Sequence, residues 1–297
     1  MNSFKIADIK MNIETDNKYL KERMKIFQTY IHKNPDMMLN IQSCNHINEP
    51  SGTLLVDESL RWLKKENGES GYHIYAVDQS RKHVIAHMDT NEDWSRVSIS
   101  CLHLNYEPED TDAEDIEMFD WMEYYSFMLA GIAFRNHLLT RDGIVIHSSS
   151  ISWEGKGIVF TAPSGTGKST HVKLWERYIG QKVTTVNDDT PAIRIKEGDP
   201  VLYGTPWSGS TDKFNNTSVP LAAVVVLEQS SENTIRELSA AEALPKVMPR
   251  SFLPYFDENL MIKAYEVLEK IISSVPFYLL RSRPDKEAVE LVYQCVR

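Results

Sequence analysis

Residues 158–179 read IVFTAPSGTGKSTHVKLWERYI, and this stretch narrows the possible folds more than any other part of the chain. The apolar run Ile158, Val159 and Phe160 fits a short buried strand. It breaks into Ala162, Pro163, Ser164, Gly165, Thr166, Gly167, Lys168, Ser169 and Thr170. Helical spacing then resumes, with Val172, Trp175 and Ile179 on one face before Gly180 stops the helix. A strand, a glycine loop ending in Gly-Lys-Ser and a helix form the setting in which a phosphate-binding loop works. Glycines let main-chain N–H groups turn toward phosphate oxygens, and the helix N-terminus adds partial positive charge. Lys168 is placed to neutralise β- and γ-phosphates, and the Ser169 hydroxyl to take one position on Mg²⁺. Ala162 stands where the usual pattern has its first glycine. A ligand-free helix cap is the competing reading, and the flanking strand and helix weigh against it.

Composition bounds what such a loop can serve. The chain has 297 residues, enough for one large domain or two ordinary ones. Its net charge of −10 argues against a general nucleic-acid binder, which needs a basic face. No apolar run reaches the length of a membrane span, and residues 1–13 lack a signal-peptide core. Cys44, Cys101 and Cys295 have neither metal-ligand spacing nor disulfide density, which fits a reduced, cytoplasmic protein.

In chain order, residues 4–13 alternate as a half-buried strand, and residues 17–31 carry Leu20, Met24, Phe27 and Ile31 at helical spacing. Short strands are expected at 37–41 and 52–56, a helical turn at 58–65, and strands at 73–77, 83–86 and 97–104. The acidic run at 107–115 reads as a solvated linker leading into a helix over 116–139. This divides the chain near residue 110, into an α+β N-terminal domain (1–110) that could bind a substrate or partner and a C-terminal domain (111–297). The helix then packs under the C-terminal domain. In that domain, strands are expected at 143–147, 158–160 and 182–186. A hairpin over 191–203, a valine-rich central strand at 221–227 and a strand at 277–280 follow. Ser239 and Glu242 form a capping box that starts a helix, and further helices are expected at 258–273 and 285–295.

Phosphoryl transfer needs charge neutralisation, a metal and an oriented nucleophile. Asn187, Asp188 and Asp189 follow the strand at 182–186, about one helix and one return strand beyond Lys168, so the acids can arrive beside bound phosphates. One carboxylate can hold Mg²⁺ and the other can accept a proton from an attacking hydroxyl. Residue types alone leave open which does which. His147 ends the strand before the loop strand, where a structural and a functional histidine are equally reasonable. Ser148, Ser149 and Ser150 are turn residues or phosphate contacts. Residues 204–217 form a long polar loop in which Lys213 could reach a phosphate and Trp207 could pack on a substrate. Arg250, Arg281 and Arg283 are further candidates for stabilising charge.

His147-Ser148-Ser149, the PSGTGKST loop, Asn187-Asp188-Asp189 and GTPWSG at 204–209 stand in close order, and FYLLRSRPDKEAVE closes the chain. Over residues 140–297 this pattern resembles the HPr kinase/phosphorylase family, whose nucleotide-binding core is shared with ATP-dependent phosphoenolpyruvate carboxykinase. The resemblance implies an α/β (overall α+β) protein with a P-loop, HPr-kinase-like C-terminal domain. It also implies that Lys168 binds phosphate, Ser169 binds metal, and Asp188 and Asp189 are the catalytic and metal-associated acids, with His147 near the phosphates. The glycine-rich signature that follows the active site in true HPr kinases is missing, and GTPWSGSTDKF stands in its place. The pattern is therefore more similar to the HPr-kinase-like serine kinases of bacterial peptide-modification clusters.

The expected activity is transfer of the γ-phosphoryl group of ATP, with Mg²⁺, to a hydroxyl, foremost a serine of a peptide or protein. Free serine or another small hydroxyl compound is the alternative acceptor, and a non-catalytic ATP-binding regulator is the alternative class. Neither nucleic acid nor membrane is an expected partner, and a homo-oligomer is compatible with the sequence.

Overall fold

A computed structural model describes residues 1–78, 82–102, 121–209 and 211–297. The acidic run, the expected boundary near residue 110 and the first turn of the expected helix at 116–139 lie outside the described residues. What is described forms a mixed α/β protein with two large sheets, in two compact units, Met1–His137 and Leu138–Arg297.

The first unit is mostly strand. Residues 4–13 are not one strand but a hairpin of β1 (Asn2–Ile6) and β2 (Ile9–Thr15), paired from Asn2↔Ile13 to Ile6↔Ile9. Ala7 and Asp8 make the two-residue turn with φ of 47° and 61°, the left-handed conformation that a tight hairpin's twist requires. No Asn-Gly pair announces this turn. It persists because it buries Phe4, Ile6, Ile9, Met11 and Ile13 together. The helix expected at 17–31 is also shorter. Asn17 Oδ1 caps α1 (Lys18–Arg23) by accepting from the Leu20 amide at 2.9 Å, and a 3₁₀ turn at Lys25–Phe27 leads into β3 (Gln28–Thr29). Leu20, Met24 and Phe27 are buried as their spacing implies, whereas Ile31 is exposed.

β4 (Met37–Cys44), β5 (Thr53–Asp57), β6 (Arg61–Lys64), β7 (Tyr72–Val77), β8 (Val84–Thr90) and β9 (Arg96–Leu102) complete a sheet of order β3-β1-β2-β4-β9-β8-β7-β6-β5. The segment 58–65 therefore holds a strand, not a helical turn. Two successive buried residues explain this: Trp62 packs near Trp94, while Leu63 joins a separate cluster with Ile47, Tyr75 and Val84. Helix α2 (Trp121–Leu139) is tied to this unit by the Asn17 amide, which donates to Ser126 Oγ at 2.6 Å, and by an edge-on contact of Tyr19 with Phe127.

The second unit runs β10 (Gly143–Val145), β11 (Ser148–Trp153), β12 (Lys156–Thr161), α3 (Lys168–Tyr178), β13 (Val183–Asn187), β14 (Ala192–Lys196) and β15 (Asp199–Tyr203). It continues with β16 (Ser218–Gln229), β17 (Thr234–Leu238), α4 (Ala240–Val247), α5 (Glu258–Ser274), β18 (Phe277–Ser282) and α6 (Lys286–Val296). Its strand order is β10-β14-β15-β16-β12-β11-β13, with β18 between β16 and β17. β17 gives little sequence signal because only Leu238 is buried. The long β16 joins two regimes: its first residues pair antiparallel with β15, and its later ones pair parallel with β12 and β18.

Apolar side chains of this sheet, including Ile158, Phe160, Val225 and Leu280, pack against Val172 and Trp175 of α3 and Val289 and Val292 of α6. α5 buries Leu260, Ala264, Val267, Leu268 and Ile271 and packs against β10, β14 and β15. Among the described residues no helix is long and apolar enough to cross a membrane.

Trp175 is fully buried, and its indole N–H donates to His171 Nε2 at 3.3 Å. Removing it empties the core beneath the glycine loop and unpairs a buried ring nitrogen. Trp175→Ala is expected to lower the stability of the second unit by about 3–5 kcal/mol in urea unfolding. A loss below about 1 kcal/mol would contradict the packing described.

Candidate functional site

The site is built where three strand ends meet. β12 runs out into the glycine loop, and its partner β11 runs the opposite way, with Ser148 opposite Thr161. β13 pairs antiparallel with the other side of β11, with Asn187 opposite Ser150. The end of β13 therefore lies on the same sheet edge as the end of β12, one strand removed. Beyond Thr161, Gly165 and Gly167 take φ of 77° and 110°, and Gly167 caps α3 in a left-handed conformation. A Cβ at Gly165 would touch nothing, so the requirement there is conformational and not spatial.

Lys168 begins α3 and is buried, with Nζ donating to the loop carbonyl of Ala162 at 3.3 Å. Loss of solvent holds its ammonium below the usual lysine range; Asp189 opposes this, Arg250 reinforces it and Asp188 opposes it. Ser169 Oγ lies 3.5 Å from Ser149 Oγ, and Ser149 donates to the Asp188 carbonyl at 3.4 Å. Ser149, on the strand between β12 and β13, thus links the loop's hydroxyl to the acid pair.

The two acids are held differently. Asp188 is 5% exposed; its Oδ2 accepts from Thr211 Oγ1 at 3.2 Å, whereas its Oδ1 is buried and has no hydrogen-bond partner among the described residues. Asp189 is about one-third exposed in its side chain, and its Oδ1 sits 3.2 Å from His147 Nε2. The main chain braces both. Ser148 N donates to the Asp189 carbonyl at 2.9 Å, and His147 N donates to the Arg250 carbonyl at 2.7 Å.

The fully buried Asn187 organises this corner. Its Nδ2 donates to the carbonyls of Thr205 and Trp207 and to Thr205 Oγ1. Its Oδ1 accepts from the amides of Asp189 and Thr190 at 2.8 and 2.6 Å. Residues 204–217 are thereby bound to the acid pair, and the Asp188 amide completes the junction by donating to the Lys213 carbonyl. Gly209, with φ of 62°, lies against Asp189, where a Cβ would come within 3.0 Å of the carboxyl carbon.

Lys168, Ser169, Asp188, Asp189 and His147 therefore come together, and Pro163, Ser164, Gly165, Thr166 and Thr170 lie along the adjoining loop and helix start. Ser149, Asn187, Thr211 and Arg250 join them. Three of the alternatives raised from sequence sit elsewhere. Lys213 is paired with Glu176 at 3.1 Å, Arg281 with Glu228, and Arg283 with Asp285 and Glu287. Ser148, Ser149 and Ser150 are all buried in β11, not in a turn. Thr211 had no local signal, and Asn187 stood out only as part of the Asn187-Asp188-Asp189 strand end, because the roles of both depend on partners many residues away.

A hard divalent cation fits this donor set: the Ser169 hydroxyl and the unpartnered Asp188 Oδ1 are both oxygen donors. Among the described residues no group of three or more His, Cys, Asp or Glu forms a self-contained metal site. A cation here would complete its shell with phosphate oxygens and water, as Mg²⁺ commonly does.

Fold and site together define a mixed α/β protein with a glycine loop, a buried lysine and an acid pair on one sheet edge. The chain belongs to the family described as SynChlorMet cassette protein ScmC, which matches residues 112–283, more than half its length. No curated protein matches it. Among solved structures it is similar to the Hpr(Ser) kinase/phosphatase from Coxiella burnetii, with 12% identity, over 51% of this chain and 95% of that one. The TM-score is 0.31.

Asn187→Asp turns a donor that faces three oxygens into a carboxylate. It is expected to cost about 3 kcal/mol or more in urea unfolding, because buried charge and lost hydrogen bonds add. A cost under about 1 kcal/mol would show that Asn187 does not hold this junction.

Proposed function

We propose that the protein is an ATP- and Mg²⁺-dependent kinase that transfers the γ-phosphoryl group to a hydroxyl, with a serine of a peptide or protein as acceptor. The observation that carries this reading is the unequal environment of the two acids. Asp188 keeps a buried carboxylate oxygen without a partner among the described residues, near the Ser169–Ser149 link, and Asp189 is about one-third exposed against His147. A protein that only holds a nucleotide has no need for the second, solvent-facing acid.

On this reading the amides of the glycine loop and Lys168 bind the phosphates. Ser169 and Asp188 hold Mg²⁺, which when bound neutralises charge on the phosphate oxygens. Asp189 takes the proton from the acceptor hydroxyl, and His147 orients it through the 3.2 Å contact to its Oδ1. Arg250 lies close enough to act on the charge of Lys168 and in this proposal adds positive charge near the phosphates. His147 and Asp189 are each about one-third exposed, so an incoming hydroxyl can reach them from solvent. The family's description as a cassette protein supports an acceptor encoded alongside it, and a small peptide is the acceptor class we infer. The catalytic unit in this proposal is the P-loop unit Leu138–Arg297, with Met1–His137 as substrate or partner module.

The test is label transfer from γ-labelled ATP with Mg²⁺ to co-encoded peptides and, separately, to L-serine. Asp189→Asn is expected to lower transfer by at least about 100-fold while nucleotide affinity stays within about tenfold. Lys168→Ala should weaken both binding and transfer. Full activity in Asp189→Asn would remove the assigned base, and tight ATP binding without transfer to any acceptor would favour a regulator.

A further inference from the structure

One hydroxyl of the long polar loop at 204–217 reaches the acid pair, and the proposed chemistry gives it no role. Thr211 Oγ1 lies 3.2 Å from Asp188 Oδ2 and 3.2 Å from the carbonyl oxygen of Ser208. A hydroxyl carries a single proton, so it serves one of these acceptors at a time. The Ser208 carbonyl already accepts from the Thr211 amide at 3.4 Å, whereas Oδ2 has no other hydrogen bond among the described residues. A carboxylate is also the stronger acceptor, so the proton goes to Asp188.

We propose that Thr211 is a positioning residue that makes Asp188 a one-oxygen ligand and so gives the site its preference for Mg²⁺ over Ca²⁺. The proposal rests on the Mg²⁺-dependent transfer read above and adds what selects the cation. Three observations favour it. First, the carboxylate is divided. Thr211 takes Oδ2, and Oδ1 is the oxygen that is buried without a hydrogen-bond partner among the described residues. The last torsion of an aspartate is broad and roughly two-fold, so its oxygens exchange places easily when nothing holds them. The hydrogen bond on Oδ2 opposes that rotation and keeps Oδ1 in the buried corner.

Second, that division suits one cation better than the other. Ca²⁺ readily takes both oxygens of a carboxylate into a large, flexible shell, whereas Mg²⁺ demands a small, near-ideal octahedron. With Oδ2 engaged, binding through both oxygens costs the Thr211 hydrogen bond. That cost falls on Ca²⁺ and spares Mg²⁺.

Third, Thr211 does not owe its place to this one bond. The loop is fastened on either side of it. Asn187 Nδ2 donates to the Trp207 carbonyl at 2.9 Å, and the Asp188 amide donates to the Lys213 carbonyl at 3.1 Å. Between these points Ser208 Oγ donates to the Thr211 carbonyl and closes a short turn. The loop therefore delivers the hydroxyl to the carboxylate, and removing the hydroxyl alone leaves the loop's other bonds in place.

The experiment is calorimetry of ADP binding to the full chain in saturating Mg²⁺, in saturating Ca²⁺ and in EDTA, which reads affinity without turnover. The unsubstituted protein is expected to bind ADP more tightly with Mg²⁺ than with Ca²⁺. Thr211→Val keeps the shape and removes the hydroxyl. It is expected to lower that ratio about tenfold, the usual effect of removing a group that orients a metal ligand. Thr211→Ser is expected to keep the ratio, and all three proteins to bind ADP alike in EDTA. An unchanged ratio in Thr211→Val overturns the proposal, as does an equal fall in Thr211→Ser. Loss of ADP binding by Thr211→Val in EDTA would assign Thr211 a structural role and overturn it too. If the unsubstituted protein binds ADP equally with either cation, but better than in EDTA, cation selection is overturned while the metal reading stands. If Mg²⁺ brings no gain over EDTA, the metal reading fails and this proposal fails with it.

Discussion

The side-chain amide of Asn187 is buried at the end of β13, and both of its ends are bonded to groups from other segments. Its nitrogen draws in the main chain of residues 205 and 207, and its oxygen fixes the amides of residues 189 and 190. Two segments without regular structure therefore share one anchor. The acid pair cannot shift without moving the long polar loop, and that loop cannot open without unpairing a buried amide. An unmade buried hydrogen bond is costly, so the arrangement is held firmly although the segments it anchors are neither helix nor strand.

Around that anchor, the neighbouring acids are separated by environment. Asp188 points into a buried corner with Thr211 and Ser149, whereas Asp189 faces outward against His147. One carboxylate keeps a buried oxygen without a partner among the described residues, and the other meets solvent and an imidazole. Gly209 contributes by absence: its lack of a side chain is what allows the loop to close against Asp189. The β11 strand supplies the remaining link, because Ser149 lies between the helix start and the acids.

The glycine loop, the helix behind it and the later amphipathic helices were readable from local pattern, since their residues interact within a few positions along the chain. The first unit was less readable. The turn at Ala7 and Asp8 has no turn chemistry in its sequence, and β6 looks helical until the neighbours of Trp62 and Leu63 are known. In each case burial against distant strands overrode local preference. β17 was missed for the opposite reason, because a strand with one buried residue has no alternation to detect.

Residue order alone established that a lysine and a serine follow a glycine turn at a helix start, and that two acids follow the next short strand. Those features are local, and their chemistry is inherent in the residue types. Tertiary structure decided which acid is buried, that Ser149 joins the loop to the acids, that Arg250 stands near Lys168, and that Lys213 is taken up by Glu176. The reason is that one antiparallel strand, β11, is inserted between the strands that carry the loop and the acids. Sheet order depends on pairings between distant segments, and residue patterns along any one strand do not encode it.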